Sequence, residues 1–301
     1  MTVTVAVVVK DRREQLVRCL DALAAQTRAP DDLVVVDNGS TDGTPDLVRE
    51  RGLRLVTQLG PLGAARQAAV DAAGTDLLAF TDSDCRPRPG WLDALLTVAA
   101  EGHAVVQGRT VPEAGEQRRW SATQDISAFS DLYECCNLLY RTDVLRAAGG
   151  FDTHDTFFGE DTVAGWRVRR LAGRGAFAPD AVVEHDVTHP GLLWHLRRGL
   201  SYASWPRLVR EFPEMREELL WHGYLLRRQQ LAVLAGTGSL LAALATRRPI
   251  LLTGAVPWLL KNRPTRPGRD GWLDCGAGLA FDVARETGLV IGSARHGRVL
   301  L

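Results

Sequence analysis

The sequence lacks several patterns that would assign it to well-known classes of protein. Its five cysteines are odd in number and include no C-x-x-C pair, which argues against a disulfide framework and a structural zinc site and favours a reducing, cytoplasmic setting. No G-x-G-x-x-G follows a predicted strand, so a dinucleotide oxidoreductase is not indicated. No apolar run reaches the ~20 residues that a membrane-spanning helix needs. The N-terminal apolar run is short and has no basic leader, so we expect a first strand and not a signal peptide.

Charge is balanced overall but not along the chain. Residues 1–190 carry 20 basic and 28 acidic side chains, whereas residues 191–301 carry 16 basic and 8 acidic ones. An acidic first part argues against nucleic acid as a partner. The basic second part suits anionic lipid, an anionic acceptor, or the acidic first part itself.

Strand-like and helix-like segments alternate over the first hundred residues. This alternation predicts an α/β fold with a mostly parallel, Rossmann-like sheet flanked by helices. Ligands of such sheets bind beyond the carboxyl ends of the strands. From about residue 104 the pattern is less regular, and after Pro190 it is mostly helical. We therefore predict a domain over 1–190, with parts 1–103 and 104–190, and a helical region over 191–301.

Two carboxylates, Asp82 and Asp84, follow the apolar run Leu77–Phe80. Because side chains alternate along an extended strand, both lie on the same side. Two like charges ~4 Å apart repel by about 1 kcal/mol in water and about 4 kcal/mol near a protein surface. A divalent cation reverses this repulsion, and Mg²⁺ or Mn²⁺ suits oxygen ligands that it shares with phosphate. The pair therefore predicts a metal–diphosphate site.

A set of short segments carries a resemblance to a known family. In chain order they are VAVVVKDR, VVVDNGSTDGT, LGAARQAA, FTDSD, CCNLLYR, GGFD, GEDTVAGWR and PDAVVEH. Together they resemble glycosyltransferase family 2 over roughly residues 3–190. The resemblance implies the GT-A fold and a metal-dependent, inverting transfer from a nucleoside-diphosphate sugar to an acceptor hydroxyl. The segment WRVRR is not the Q-x-x-R-W signature of processive synthases, so transfer of one sugar per encounter is expected.

The resemblance implies roles for individual residues. Asp161 is expected to be the general base, and Glu160 to position the acceptor or cap the helix. Asp84 and His185 are expected to hold Mn²⁺ or Mg²⁺. The residues expected at the nucleotide are Val9, Asp11, Asp37, Arg66, Asp82 and Ser83. Those expected in the donor and acceptor pocket are Cys136, Asn137 and Trp166. By this resemblance 1–103 is the nucleotide-binding part and 104–190 the part for donor sugar and acceptor.

Other interpretations of these residues remain open. Single acids in loops are usually solvated or cap helices, Arg66 suits a solvated helix surface, and His185 suits a structural role. A sugar nucleotidylyltransferase would have a glycine-rich loop after the first strand, and KDRREQ contains no glycine. A catalytically silent module that binds a sugar nucleotide or a lipid-linked glycan would differ by binding without turnover.

The C-terminal region contains two apolar segments, Leu231–Ala245 and Pro249–Leu260, on either side of Arg247 and Arg248. They leave three interpretations open: core helices, a hairpin that enters a membrane surface, or a homodimer interface.

We expect a UDP-sugar in preference to a GDP- or dTDP-sugar. The acceptor is expected to be a lipid-linked glycan or a small metabolite, in the cytoplasm or at the inner face of the membrane.

Overall fold

The computed structural model describes residues 1–115, 120–153, 159–264 and 267–300. The chain divides into two compact units. The first holds the described residues up to Thr188 except Trp120 and Ser121, which belong to the second unit with the described residues from His189 onwards. The domain boundary predicted at residue 190 lies close to this division.

Eight strands and six helices form the first unit within its described residues. The strands are β1 (Val3–Val9), β2 (Asp32–Asp37), β3 (Arg54–Thr57), β4 (Leu77–Asp82), β5 (Cys85–Pro87), β6 (Val105–Pro112), β7 (Asn137–Arg141) and β8 (Ala176–His185). The helices are α1 (Arg13–Ala24), α2 (Thr44–Glu50), α3 (Leu62–Ala72), α4 (Trp91–Ala99), α5 (Thr142–Ala147) and α6 (Glu160–Ala172).

The strands form one mixed sheet in the order β3-β2-β1-β4-β7-β6-β8-β5. The half made of β3, β2, β1 and β4 is parallel, as the alternation predicts. Every residue of β1 is buried, which explains its unbroken valine-rich sequence. In contrast, β7 is antiparallel to β4 and β6, and β5 is antiparallel to β8. The sequence did not indicate β7, which lies in the part of the chain where the pattern is less regular.

Strand register brings distant residues to one edge of the sheet. Val8 lies opposite Asp82 and Val9 opposite Asp37, so the carboxyl ends of β1, β2 and β4 are neighbours. At the other end of the sheet, β5 pairs with β8 and places Cys85 opposite His185. Since Asp84 directly precedes Cys85, the acid and the histidine come together although they are far apart in the sequence.

The side chain of Asn137 joins the antiparallel part of the sheet. Its Oδ1 accepts a hydrogen bond from the indole N–H of Trp91 (2.8 Å). Its Nδ2 donates to the carbonyl oxygens of Arg109 (2.9 Å) and Ala181 (2.8 Å). The residue is fully buried, so this one amide links β6, β7 and β8 to α4.

The second unit is helical in its described residues, which confirms the predicted helical C-terminal region. Its α-helices are α7 (Leu192–Leu200), α8 (Trp205–Glu211), α9 (Met215–Leu219), α10 (Gln230–Thr246), α11 (Val256–Lys261) and α12 (Gly268–His296). Two 3₁₀ helices cover Ser201–Ser204 and Pro249–Ala255. Among the described helices, none combines the length and apolar character needed to cross a membrane.

We predict that Asn137→Ala lowers the free energy of unfolding by about 3 kcal/mol, because buried carbonyl and indole groups lose their partners. Urea denaturation followed by circular dichroism measures the change. Thr97→Ala, at an exposed position of α4, is the control and should leave stability unchanged. If Asn137→Ala is as stable as the wild type and binds the donor more weakly, this amide belongs to the donor pocket instead.

Candidate active site

The guanidinium of Arg66 joins acids from two different elements. The side chain of Arg66, on α3, is only 6% exposed. Its Nη2 lies 3.6 Å from Oδ1 of Asp82, at the end of β4. Its Nη1 contacts Oε1 of Glu160 and lies 3.7 Å from Oδ2 of Asp161, at the start of α6. One buried cation therefore faces three carboxylates, one from the end of a strand and two from the start of a helix.

Two residues of α3 hold the chain that leads to α6. A Cβ at Gly63 would stand 1.9 Å from the carbonyl oxygen of Asp152, so only glycine permits this approach. Gln67 accepts the backbone N–H of Phe151 through Oε1 at 2.9 Å. Gly150, with a φ of +63°, leaves no room for a Cβ beside Gln67. These contacts explain why the segments LGAARQAA and GGFD accompany the acids: they fix α3 against the chain near Glu160.

Burial changes the protonation of Asp161, at the start of α6. Burial, together with the negative charge of Glu160, raises the pKa of Asp161 to about 8, against the lowering effect of Arg66. Glu134, which the sequence did not single out, acts in the same direction as Glu160. The Oδ1 atom of Asp161 accepts the N–H of Thr162 at 2.8 Å. A carboxyl group with a pKa near neutrality can take up and release a proton under working conditions.

Asp84 and His185 form a pair of groups that suits a metal ion. Oδ1 of Asp84 lies 3.8 Å from Nε2 of His185. The other ring nitrogen, Nδ1, lies 2.8 Å from the carbonyl oxygen of Asp186, and in the tautomer that donates there, Nε2 presents its lone pair to Asp84. A carboxylate oxygen and an imidazole nitrogen at this spacing fit a divalent cation such as Mn²⁺.

Two neighbours of this pair were not predicted. The possible ligand atoms of Asp84, Cys85 and His185 lie within 4.8 Å of one another. Burial raises the pKa of the Cys85 thiol, and sulfur is a soft ligand that does not suit a hard cation. Arg12 contacts Oδ2 of Asp84 through Nη1. The signal for Arg12 was its position just after β1, at the carboxyl edge of the sheet; this contact pairs the Asp84 carboxylate with a cationic side chain.

Asp37 lies at the end of β2 beside Val9, as the register requires. It is 1% exposed, and its carboxylate accepts the backbone N–H groups of Gly39 and Ser40. Ser83, between the two acids that follow β4, is also buried. These residues lie at the predicted edge of the sheet. Contact of Val9, Asp37 or Ser83 with a nucleotide stays a prediction.

Asp11 ties the loop after β1 to the loop after β2. Its Oδ1 accepts the backbone N–H of Thr41 at 2.7 Å, and its own N–H donates to Oγ of Ser40 at 2.8 Å. Asp11 has a φ of +49°, a conformation that Asp tolerates better than most residues. The loops at this edge are therefore held by side chains, and a role for Asp11 at the nucleotide stays a prediction.

The three residues expected in the donor and acceptor pocket lie inside the packed core. Sγ of Cys136 is 3.5 Å from Oγ1 of Thr110. The indole of Trp166 is 1% exposed and donates to the carbonyl oxygen of Asp131 at 2.8 Å. Asn137 uses its amide as described above. Each has a packing role, and contact of these side chains with a sugar stays a prediction.

Comparison with known proteins decides the family. The model of "Glycosyl transferase family 2" matches residues 4–159. The chain belongs to glycosyl transferase family 2. The match includes β1 from Thr4 onwards, β2 to β7, and Arg66, Asp82 and Asp84, and it ends one residue before Glu160.

Curated relatives of this family 2 chain carry glycosyltransferase names. It is 28% identical over 176 residues to Glycosyltransferase AglE of Haloferax volcanii, which covers 50% of this chain and 56% of the relative. It is 28% identical over 216 residues to a Pre-mycofactocin glycosyltransferase of Mycobacterium tuberculosis, covering 65% of this chain and 44% of that one. The chain thus spans about half the length of these relatives.

Solved structures confirm the predicted GT-A fold. The mannosyltransferase PcManGT from Pyrobaculum calidifontis, in complex with GDP-Man and Mn²⁺, matches with a TM-score of 0.60 at 19% identity, over 98% of this chain and 86% of the other. S. aureus TarS 1–349, in complex with UDP-GlcNAc, matches with a TM-score of 0.51 at 17% identity, over 99% and 93%. At these identities the likeness concerns the fold alone.

We predict that Arg66→Met destabilises the protein by about 3–5 kcal/mol, because it leaves buried carboxylates without their cation. The double variant Arg66→Met/Glu160→Gln should recover part of this loss, since it also removes one of the unpaired charges. Chemical denaturation of the wild type, both single variants and the double variant gives the coupling energy.

The control for this cycle is Arg49→Met. Arg49 pairs with Asp46 at 2.7 Å on an exposed surface of α2, and such pairs contribute little. We expect no measurable change for it. A coupling energy near zero between Arg66 and Glu160 would mean that Arg66 stabilises the protein through packing alone.

Proposed function

We propose that this family 2 protein is a metal-dependent, inverting glycosyltransferase. It moves one sugar per encounter from a nucleoside-diphosphate sugar to a hydroxyl group of an acceptor. The observation that carries this proposal is the buried Arg66, which faces Asp82 on one side and Asp161 on the other. Through it, the strand edge that bears the metal-binding acid and the helix start that bears the base belong to one site.

The donor end of the site is built from Asp84, His185 and Arg12. The first two would hold Mn²⁺ or Mg²⁺, which when bound offsets the negative charge of the leaving diphosphate. Arg12, beside Asp84, offers planar N–H donors that suit phosphate oxygens. The complexes of PcManGT with GDP-Man and Mn²⁺ and of TarS with UDP-GlcNAc support a nucleotide-sugar donor on this fold. We favour UDP as the nucleotide.

The acceptor end is built around Asp161. Its carboxylate takes the proton of the acceptor hydroxyl while the hydroxyl oxygen forms a bond to the anomeric carbon. The bond between that carbon and the diphosphate oxygen breaks on the opposite face, and this single displacement inverts the configuration. A positioned base of this kind contributes typically ~10²–10⁴-fold to the rate. Glu160 keeps Arg66 in place beside Asp161 and is a positioning residue in this proposal.

The acceptor itself is proposed only by class. A hydroxyl group on a lipid-linked glycan or on a small metabolite satisfies the chemistry at Asp161. Both classes are compatible with a cytoplasmic protein, and the lipid-linked acceptor would place it at the inner face of a membrane.

We predict that a UDP-sugar raises the melting temperature by a few degrees in the presence of Mn²⁺ and not in its absence, because metal and diphosphate bind together. Asp84→Ala should abolish this response. A thermal-shift series with UDP-, GDP- and dTDP-sugars measures this change in melting temperature and identifies the nucleobase of the donor. The control is Asp46→Ala, an exposed acid on α2 that should respond as the wild type does. No response of the wild type to any sugar nucleotide would remove the proposed function.

We predict that Asp161→Asn binds the donor with wild-type affinity and transfers sugar at least ~10²-fold more slowly, because the amide cannot accept the proton. Calorimetry measures donor binding, and release of the nucleoside diphosphate measures turnover. The wild-type rate should rise with pH up to about 8, where Asp161 becomes the carboxylate. Donor binding without turnover in the wild type would identify a silent binding module, and unchanged turnover of the variant would place the base elsewhere.

The stability of the same variant is an independent check. A carboxyl group whose pKa is raised on folding favours the folded state at low pH and loses that contribution as the pH rises through about 8. Asparagine has no such loss, so the melting temperature of Asp161→Asn should exceed that of the wild type by a margin that grows from pH 5 to pH 8. A margin that does not change with pH would contradict the raised pKa.

A further inference from the structure

The second unit contains a hairpin whose large apolar side chains face outward. It consists of α10, the 3₁₀ helix Pro249–Ala255 and α11, and we call residues 230–261 the apolar hairpin. Leu241, Leu244 and Ile250 are 67%, 69% and 70% exposed. Six further side chains are between 43% and 58% exposed: Leu231, Leu240, Leu252, Val256, Leu259 and Leu260. A helix that is apolar all round is normally buried in protein or lipid. These side chains are therefore not packed as those of an ordinary core helix are, and the three interpretations of the segment stay predictions.

Small residues occupy the contact between the two arms of the apolar hairpin. A Cβ at Gly236 would lie 2.6 Å from the ring of Trp258, and a Cβ at Gly254 would lie 2.0 Å from Oγ of Ser239. Close packing at small residues leaves the leucines on the outside. Helix pairs in membranes are packed in this way, because apolar side chains there gain little by turning inward.

The polar groups of the apolar hairpin point the other way, towards α12. Asp282, on α12, is 2% exposed. It accepts hydrogen bonds from Nε1 of Trp258 (2.9 Å), Nζ of Lys261 (2.6 Å) and Nδ2 of Asn262 (3.0 Å). With polar contacts inside and leucines outside, the hairpin reverses the arrangement usual in water. The hydrogen-bond network around Asp282 also fixes the base of the hairpin, so the exposed leucines lie on a surface that is fixed in place.

The sequence of the apolar hairpin and its flanks carries charge of a single sign. Residues 219–269 contain eight Lys and Arg residues and no Asp or Glu. Arg247 and Arg248 lie at the tip, and Arg227, Arg228 and Arg263 lie near the base. A basic border suits anionic lipid, to which each basic residue near the surface contributes about 1 kcal/mol. A second copy of the chain docked on this face would bring like charges together, which disfavours a dimer there.

We propose that the apolar hairpin docks the protein on the surface of an anionic membrane. Leu241, Leu244 and Ile250 enter the boundary between headgroups and acyl chains, at a depth of about 5–10 Å, while Arg247 and Arg248 contact lipid phosphates. In this proposal the hairpin lies along the interface and does not cross the bilayer. This inference is independent of the proposed catalysis.

Flotation of the full chain with vesicles tests this docking. Wild-type protein should float with vesicles of phosphatidylcholine and phosphatidylglycerol, much less with phosphatidylcholine alone, and less as salt is added. The variant Leu241→Gln/Leu244→Gln/Ile250→Gln should lose at least ~10-fold in vesicle affinity, and Arg247→Gln/Arg248→Gln should lose the preference for anionic lipid. Leu171→Gln, at a 60% exposed leucine of the first unit, is the matched control and should float as the wild type does.

A fluorescent label distinguishes insertion from loose adsorption. The five cysteines of the chain are buried, so a cysteine introduced by Ile250→Cys can be labelled selectively with a polarity-sensitive dye. We expect a blue shift on anionic vesicles, and none for the same dye at Leu171→Cys. Unchanged flotation of the triple leucine and isoleucine variant, or no flotation of the wild type, would overturn the proposal. Self-association that disappears in that variant would instead assign the face to a second copy.

Discussion

The buried ion cluster around Arg66 is the interaction on which the geometry of the candidate site depends. A guanidinium 6% exposed compensates acids that come from the end of β4 and the start of α6. Taking such charges out of water is costly, and the cluster persists because the surrounding chain holds it: Gly63 lets the chain before α6 approach α3, and Gln67 binds that chain. The raised pKa of Asp161 follows from the same burial. Position and protonation of the proposed base thus have one physical origin.

Much of the candidate site could be predicted from the sequence because parallel strands bring their carboxyl ends to one edge. That rule alone places Asp37, Asp82 and Asp84 near one another, and the register places Asp37 and Asp82 opposite neighbouring residues of β1. The partners of these acids could not be predicted in the same way. The contact between Arg12 and Asp84 depends on the paths of two loops, and the pairing of β5 with β8 depends on a strand of three residues. Local pattern carries no information on either.

The antiparallel strand and the apolar hairpin show a different limit of sequence patterns. β7 has apolar residues in a row, so its period could not be distinguished from that of a helix, and its place between β4 and β6 was set by tertiary pairing. This also concerns Asn137, which was expected in the donor pocket. As the first residue of an internal strand, it has its side chain buried in the core. For residues 230–261, both arms are apolar on all sides, so no pattern could tell which side chains face outward. The family match ends at residue 159 and gives no information on that region.

The distance along the chain between the two halves of the proposed metal-binding edge has a consequence for synthesis of the protein. Arg86 and Asp186, which pair at 2.6 Å where β5 meets the end of β8, are 100 residues apart. A ribosome that adds about 5–20 residues per second needs roughly 5–20 s to make that stretch. During this interval the nascent chain carries Asp82 and Asp84 with no histidine beside them and no completed sheet. The parallel half around β1 can form early, whereas the edge that would hold the ion is assembled only after residue 185 has left the exit tunnel.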